Sequence, residues 1–245
     1  MAKGKIKKGD IVRIKYDAYI AEGDVLYDTT DEEKAKGAGF HNEGYVYAPM
    51  PYVVGSGGLY PAIEAALDGA EVGKEFTVEV PKEEGPGERD PKLVEVHPAR
   101  EFHKMEINPY PGLEVTLGNR RGTVVSVAAG RVKVDFNNPL AGKDLRYVMT
   151  ATEIIKGDDE KLRAIVESSF GTSEGFGFEV TEDKAIVTIS DMAKFNEAWL
   201  MAKFRIVGHV REILDVDSID FVENWVTKRK EEGGTGEGNG EEASE

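Results

Sequence analysis

LRYVMTATEII, residues 145–155, reads as a β-strand, yet nothing near it in the chain offers it a partner. Just before it, over residues 92–144, LVEV, LEVTL, GTVVSV and RVKVDF are short strands separated by turn residues, the pattern of a small β-rich unit with its own core. KEEGPGERDP at 82–91, punctuated by Gly and Pro, is a loop. EVGKEFTVEVP at 71–81 alternates as a half-buried strand does, with Val72, Phe76, Val78 and Val80 available to a core.

Further back, KGDIVRIKYDAYI at 8–20 alternates in the same way. Glu22-Gly23-Asp24 turns the chain, and VLYDTT at 25–30 resumes the strand. Residues 31–49, polar and Gly-rich with scattered aromatics, read as a long loop or an irregular strand. YVV at 52–54 is a short strand broken by Gly55-Ser56-Gly57-Gly58. Pro61 suits the first turn of a helix, AIEAAL at 62–67 continues it, and Gly69 stops it. GSGG has no following Lys-Ser/Thr, so it is a turn and not a phosphate loop.

Beyond the lone strand, DDEKLRAIVESSF predicts an acid-started helix and GFGFEVTEDKAIVTIS a hairpin around Thr181 to Asp183. DMAKFNEAWLMAKFRIVGHVREIL has helix-spaced Phe195, Trp199, Met201, Phe204 and Ile206, with Asp191 as the candidate N-cap. SIDFVENWVTKRK predicts a final amphipathic helix. Trp199 and Trp225 are expected to pack a core or a dimer interface. The Gly- and Glu-rich tail at 231–245 is expected to be disordered.

The net charge of −15 over 245 residues argues against nucleic acid as the main partner, since duplex affinity rests on Lys and Arg meeting phosphates. No run approaches the roughly 18 apolar residues of a membrane helix, so no membrane partner is expected. MAKGKIKKGD has no apolar stretch behind it and does not read as a secretory signal. The absence of cysteine removes disulfides, thiol catalysis and thiolate metal sites, and a cytoplasmic location follows as the default. The four histidines are too scattered for a metal cluster, so neither metal nor cofactor is expected. The absence of glutamine, with 31% charged residues, fits a hot-living source.

The VLYDTT strand, the YVVGSGGLYPAIEAAL segment and the EVGKEFTVEVP strand, in that order and spacing, resemble FKBP-type peptidyl-prolyl cis–trans isomerases. NNPLAGKDLRY at 137–147 resembles the corresponding stretch of SlyD-like members, which carry an insert-in-flap chaperone domain between the last two strands of the isomerase domain. On that resemblance 145–155 is the returning strand of the first domain. The extra region at 157–230 resembles, more weakly, the C-terminal extension of long archaeal members. The implied fold is α+β: an antiparallel sheet wrapped on a short helix, an inserted β-rich domain and a C-terminal α+β domain. The implied boundaries are 1–88 with 145–156, then 89–144, 157–230 and the tail at 231–245.

The resemblance also assigns a pocket. Tyr16 and Tyr27 match its aromatics, Asp28 its carboxylate, Met50 its wall and Ile63 its floor. Leu59 and Tyr60 match the pair before the helix, where the second backbone N–H holds a substrate carbonyl, and Tyr147 matches the aromatic of the returning strand. One departure is Pro86, which stands where the family has a loop aromatic and brings no hydroxyl. Without the resemblance these residues look like ordinary core and turn residues.

In the insert, Phe102, Met105, Ile107, Val134, Phe136, Pro139 and Leu140 are the candidates for binding extended chains, against the plainer reading that most form its own core. Asn137 and Gly142 are expected to shape a turn. The expected activity is prolyl isomerisation joined to chaperoning, with unfolded or proline-containing polypeptides as partners. The alternative is a holdase or assembly scaffold with a weak or vestigial pocket. The amphipathic C-terminal region suits homodimerisation.

Overall fold

A computed structural model of the chain describes residues 4–225. Its elements form three sheets, each with a hydrophobic core of its own, and the architecture is α+β. Among the described residues no helix is long and apolar enough to cross a membrane.

The first sheet is built round β1 (Ile11–Ile20). One edge of β1 is shared by β3 (Met50–Val53), which pairs antiparallel with its first half, and β2 (Val25–Thr29), which pairs antiparallel with its second. The other edge meets β9 (Leu145–Ile154), and β9 in turn pairs with β4 (Glu75–Val80). The strand that had no local partner is therefore central, lying between β1 and β4. Val80 stands opposite Leu145, so everything from 81 to 144 leaves and returns through a single antiparallel strand pair. Helix α2 (Pro61–Leu67) closes the core by burying Ile63 and Leu67 against Val12, Ile14, Val78, Val80 and Met149.

Residues 31–49 are not simply a loop. Helix α1 (Glu32–Ala38) forms there, with Asp31 as N-cap accepting from the N–H groups of Glu33 and Lys34 at 3.0 and 3.1 Å. Glu32 and Glu33 favour its first turn, Gly39 ends it in the left-handed region, and Ala35 anchors it in the interior.

The second sheet has the order β5 (Val94–Pro98), β8 (Arg131–Asp135), β7 (Arg120–Ala128), β6 (Glu114–Leu117), with all neighbours antiparallel. The strands agree with the sequence reading; the short helix α3 (Ala99–Lys104), which carries Phe102 into the core, was not anticipated.

The third sheet has the order β10 (Gly177–Val180), β11 (Lys184–Thr188), β12 (Ser218–Val222), covered by α4 (Asp158–Phe170) and α5 (Glu197–Ile213). SIDFV is a strand parallel to β11 and not the start of a helix. Ile219 and Phe221 alternate and pack on the core, which a helical period would not allow. Asn196, not Asp191, caps α5, accepting from Ala198 N at 2.9 Å, and Asp191 pairs instead with Lys194. Of the helix-spaced residues expected there, Trp199 and Ile206 are buried, whereas Phe195, Met201 and Phe204 are exposed. Residues 226–245, including the tail expected to be disordered, lie outside the described residues.

The third unit is not tethered by its linker alone. Ile11 and Val53 of the first sheet join its core. Arg13 makes a two-pronged ion pair with Glu167 of α4, at 3.1 and 3.0 Å.

Candidate functional site

On β1 the inward face carries Val12, Ile14 and Tyr16. Ala18 stands opposite Asp28 on one side and Tyr147 on the other, and Tyr147 stands opposite Val78, so these four form one row across the sheet. Ala18 is fully buried, and it puts only a single methyl between Asp28 and Tyr147.

Tyr27 and Asp28 are neighbours, and a regular strand would send them to opposite faces. The register slips between Ala18 and Tyr19, whose partners are Asp28 and Leu26, so Tyr27 is the unpaired residue of a β-bulge. The bulge lets both side chains reach one site. The Tyr16 hydroxyl donates to Asp28 Oδ2 at 2.8 Å, and Asp28 Oδ1 accepts from Thr29 N at 2.9 Å. The Tyr27 and Tyr147 hydroxyls lie 2.6 Å apart. Tyr147 is the hub: its ring centroid is 6.4 Å from those of Tyr16 and Tyr27 and 6.3 Å from that of Tyr60.

Burial pushes the Tyr16 hydroxyl far above the ordinary phenol range, and the Asp28 carboxylate adds to this. Burial and then Tyr147 do the same to Tyr27. Burial also raises Tyr147, with the hydrogen bond it shares with Tyr27 opposing this. These hydroxyls are therefore neutral donors at physiological pH, and the site contains a carboxylate in an aromatic wall without a phenolate base or a nucleophile.

A second set of contacts fixes the start of α1 beside the site. The buried Asp17 accepts from Thr29 Oγ1 at 2.6 Å and from Lys34 Nζ at 2.5 Å. Thr30 N donates to Tyr16 O at 3.0 Å.

Across from the tyrosines, Leu59 and Tyr60 are half-buried ahead of α2, and Ile63 is fully buried beneath them. Among the described residues no acceptor meets the Tyr60 N–H, although every other N–H from Gly55 to Leu59 is bonded. Those bonds run to Val53 O, Tyr52 and Glu64, and the sequence reading had singled out neither side chain. Met50 opens β3 opposite Ile14 and is half-buried, and Pro86 is half-buried in the turn after the 3₁₀ stretch Lys82–Glu84.

The candidates in the insert separate by burial. Phe102 and Val134 are wholly enclosed in its core and offer no surface to another chain. Ile107 and Phe136 pack against that core. Met105 and Pro139 are exposed, and Leu140 packs on the core of the first sheet. The apolar surface includes residues not expected: Leu93, Val96, Tyr110, Val125 and Val127. Val96 is legible in hindsight, since it pairs with the exposed Lys133 while Val132 and Val134 on either side point inward.

Residues 2–103 match the model of the FKBP-type peptidyl-prolyl cis–trans isomerases, residues 95–140 that of the FKBP26 IF domain, and residues 158–226 that of the FKBP26 C-terminal region. The chain is 34% identical over 155 residues to the short-type peptidyl-prolyl cis–trans isomerase of Methanocaldococcus jannaschii, covering 63% of this chain and 98% of that one. It is 28% identical over 152 residues to a probable FKBP-type 16 kDa isomerase of Pseudomonas fluorescens, covering 60% and 90%. With the isomerase SlyD of Aeromonas hydrophila it shares 29% over 160 residues, 64% of this chain and 68% of that one. The M. jannaschii likeness takes in nearly the whole of a relative whose length is that of the first two units here, and the chain belongs to the family of FKBP-type peptidyl-prolyl cis–trans isomerases.

Proposed function

We propose that Tyr16, Tyr27, Asp28, Met50, Leu59, Tyr60, Ile63 and Tyr147 form the pocket in which this chain isomerises prolyl bonds of unfolded polypeptides, and that the insert captures those chains. The observation that carries the reading is the N–H of Tyr60, which meets no acceptor among the described residues, in a residue whose ring lies 6.3 Å from that of Tyr147. Isomerisation crosses a barrier of ~20 kcal/mol without a covalent intermediate. The planar amide is more polar than the twisted transition state, so aromatic and aliphatic walls favour the twisted form while one fixed donor holds the flanking carbonyl. Nothing in that chemistry requires a base.

The domains follow as 1–88 with 145–156 for isomerisation, 89–144 for capture and 157–230 for assembly. The exposed Leu93, Val96, Met105, Tyr110, Val125 and Val127 of the insert, with β5 and β6 as open edges, suit strand addition by an extended client. Gly142 N donates to Gly87 O at 2.7 Å, so the insert is joined at adjacent points and can be replaced by a short glycine link. Asp28→Ala is expected to lower turnover of a prolyl tetrapeptide about a hundredfold while sparing suppression of aggregation. Replacing 89–144 should leave the tetrapeptide activity and remove most acceleration of a proline-limited refolding reaction. A wild-type chain that suppresses aggregation yet does not turn over the tetrapeptide would favour the holdase reading, for which the missing hydroxyl at Pro86 is the support.

For the third unit we propose a second copy of this chain as partner. Phe195 and Trp225 pack edge to face at 5.6 Å while remaining 81% and 63% exposed, and Leu200, Met201 and Phe204 stand exposed within about a turn of one another on α5. An apolar group of that size on a protein of net charge −15 suits a two-fold contact, and molar mass in solution tests it. We also place the protein in the cytoplasm of a hot-living cell, with neither nucleic acid nor membrane as partner. A Tm within the mesophile range of roughly 45–65 °C would count against the hot source.

A further inference from the structure

The loop Gly55-Ser56-Gly57-Gly58-Leu59 has five consecutive backbone N–H groups, and four of them end on two side chains. Gly55 N and Gly57 N donate to Glu64 Oε2 and Oε1, each at 2.9 Å. Gly58 N and Leu59 N donate to the Tyr52 hydroxyl at 3.0 and 3.2 Å. That hydroxyl donates its own proton to Glu64 Oε1. The fifth, Ser56 N, donates to Val53 O at 3.2 Å. The next amide is that of Tyr60, which has no acceptor among the described residues, and residue 61 is proline with no N–H at all.

The two side chains come from different walls. Tyr52 lies on β3 and is 7% exposed; Glu64 lies in the first turn of α2. A tight turn needs only local bonds, whereas this loop is pinned to the sheet and the helix at once. Gly58 is part of the fit, because a Cβ there would stand 3.3 Å from the edge of the Tyr52 ring. Burial, then Glu64, raises the Tyr52 hydroxyl above the usual phenol range, so it remains a donor at neutral pH while accepting two amides.

We propose that Tyr52 and Glu64 are positioning residues for prolyl isomerisation: they fix the Leu59–Tyr60 peptide so that the Tyr60 N–H points into the pocket at the place where the substrate carbonyl arrives. This rests on the reading of Tyr60 as the substrate donor. A donor fixed in advance costs no reorganisation during the reaction, and a displacement near 1 Å loses most of its effect. Phenylalanine at 52 would keep the ring and leave two amides without an acceptor.

The test uses full-length protein with Tyr52→Phe and Glu64→Gln, assayed on a prolyl tetrapeptide and followed by amide NMR during peptide titration. For Tyr52→Phe, kcat/KM is expected to fall about ten- to a hundredfold, mostly in kcat, and the Tyr60 amide is expected to lose its response to peptide. Glu64→Gln keeps the Oε1 acceptor and is expected to fall between this variant and wild type. Variants that melt lower yet turn over peptide like wild type, per folded molecule, overturn the clamp and leave the pocket reading intact. A wild-type Tyr60 amide that ignores peptide overturns the pocket reading and the clamp with it.

Discussion

Asp28 accepts a hydrogen bond from Tyr16 and one from Thr29 N, and Tyr147 shares its hydroxyl with Tyr27, so the carboxylate and the three tyrosine hydroxyls around it each answer to a named neighbour. The Tyr27–Tyr147 pair makes a measurable consequence. Removing one hydroxyl leaves the other half-buried without its partner, at a cost of about 1–2 kcal/mol. Removing both takes away the orphan as well. Urea unfolding of Tyr27→Phe, Tyr147→Phe and the double variant should therefore show a double cost below the sum of the singles, with a coupling of at least ~0.5 kcal/mol. Strict additivity would mean that the two hydroxyls act independently. Residue identity alone shows little of this. Tyr16 and Tyr147 look like core residues on alternating strands, and strand alternation alone turns Tyr27 away from Asp28 until the bulge is seen. The resemblance brought these residues to one site, but it was silent on Tyr52 and Glu64. A carboxylate that caps backbone amides leaves no pattern in the letters, and GSGG reads only as a turn.

Elements were legible where one period dominated. The alternation of β1 and β4 and the proline start of α2 stand as read, because burial on one face imposes the period on the sequence. Helix α1 was missed although Asp31, Glu32, Glu33 and Gly39 spell its start and stop, because it has only one buried residue and so no apolar stripe. Strand β12 was misread because SIDFVENWV has apolar residues at both helix and strand spacing; pairing with β11 decides it. Helix α5 carries a titratable side chain into the fold. His209 is half-buried on it, and its Nδ1 is enclosed with no hydrogen-bond partner among the described residues. Burial lowers its pKa, with Arg205 acting in the same direction and Glu212 against it. The folded state thus holds the imidazole neutral, and the unfolded chain takes the proton first. Its contribution is full above the unfolded value of about 6.5 and is lost as pH falls through the lower, folded value. Unfolding free energy should decline on acidification from pH 7 to 5, and His209→Gln should flatten that part of the profile. An unchanged slope in the variant would remove His209 as the cause.

At the scale of the molecule, the pairing of 145–155 organises everything else. With β9 between β1 and β4, the insert hangs on two crossing strands that are tied together: Lys82 N donates to Asp144, Asp90 N to Asn137 Oδ1, and Arg89 pairs with Asp135. That pairing was legible only through the resemblance, since 64 residues separate Val80 from its partner Leu145 and no local pattern spans such a gap. The third unit is joined differently, by a shared core at Ile11 and Val53 and by Arg13 with Glu167, so it is a firm platform for the first sheet. If its exposed face on α5 joins a second copy, each particle presents two pockets and two inserts to one client, which raises effective concentration without new contacts. The association has a distinctive salt response. Two chains of −15 repel each other, and added salt screens that repulsion while leaving apolar burial in place. Light scattering should therefore give twice the chain mass at moderate salt, with the dimer tightening as salt rises. Phe204→Glu, at a side chain 78% exposed in the single chain, should give a monomer with an unchanged melting temperature of the first sheet and unchanged tetrapeptide turnover. A wild-type monomer at every salt concentration would refute the second copy as partner, and a dimer that persists in Phe204→Glu would place the contact elsewhere.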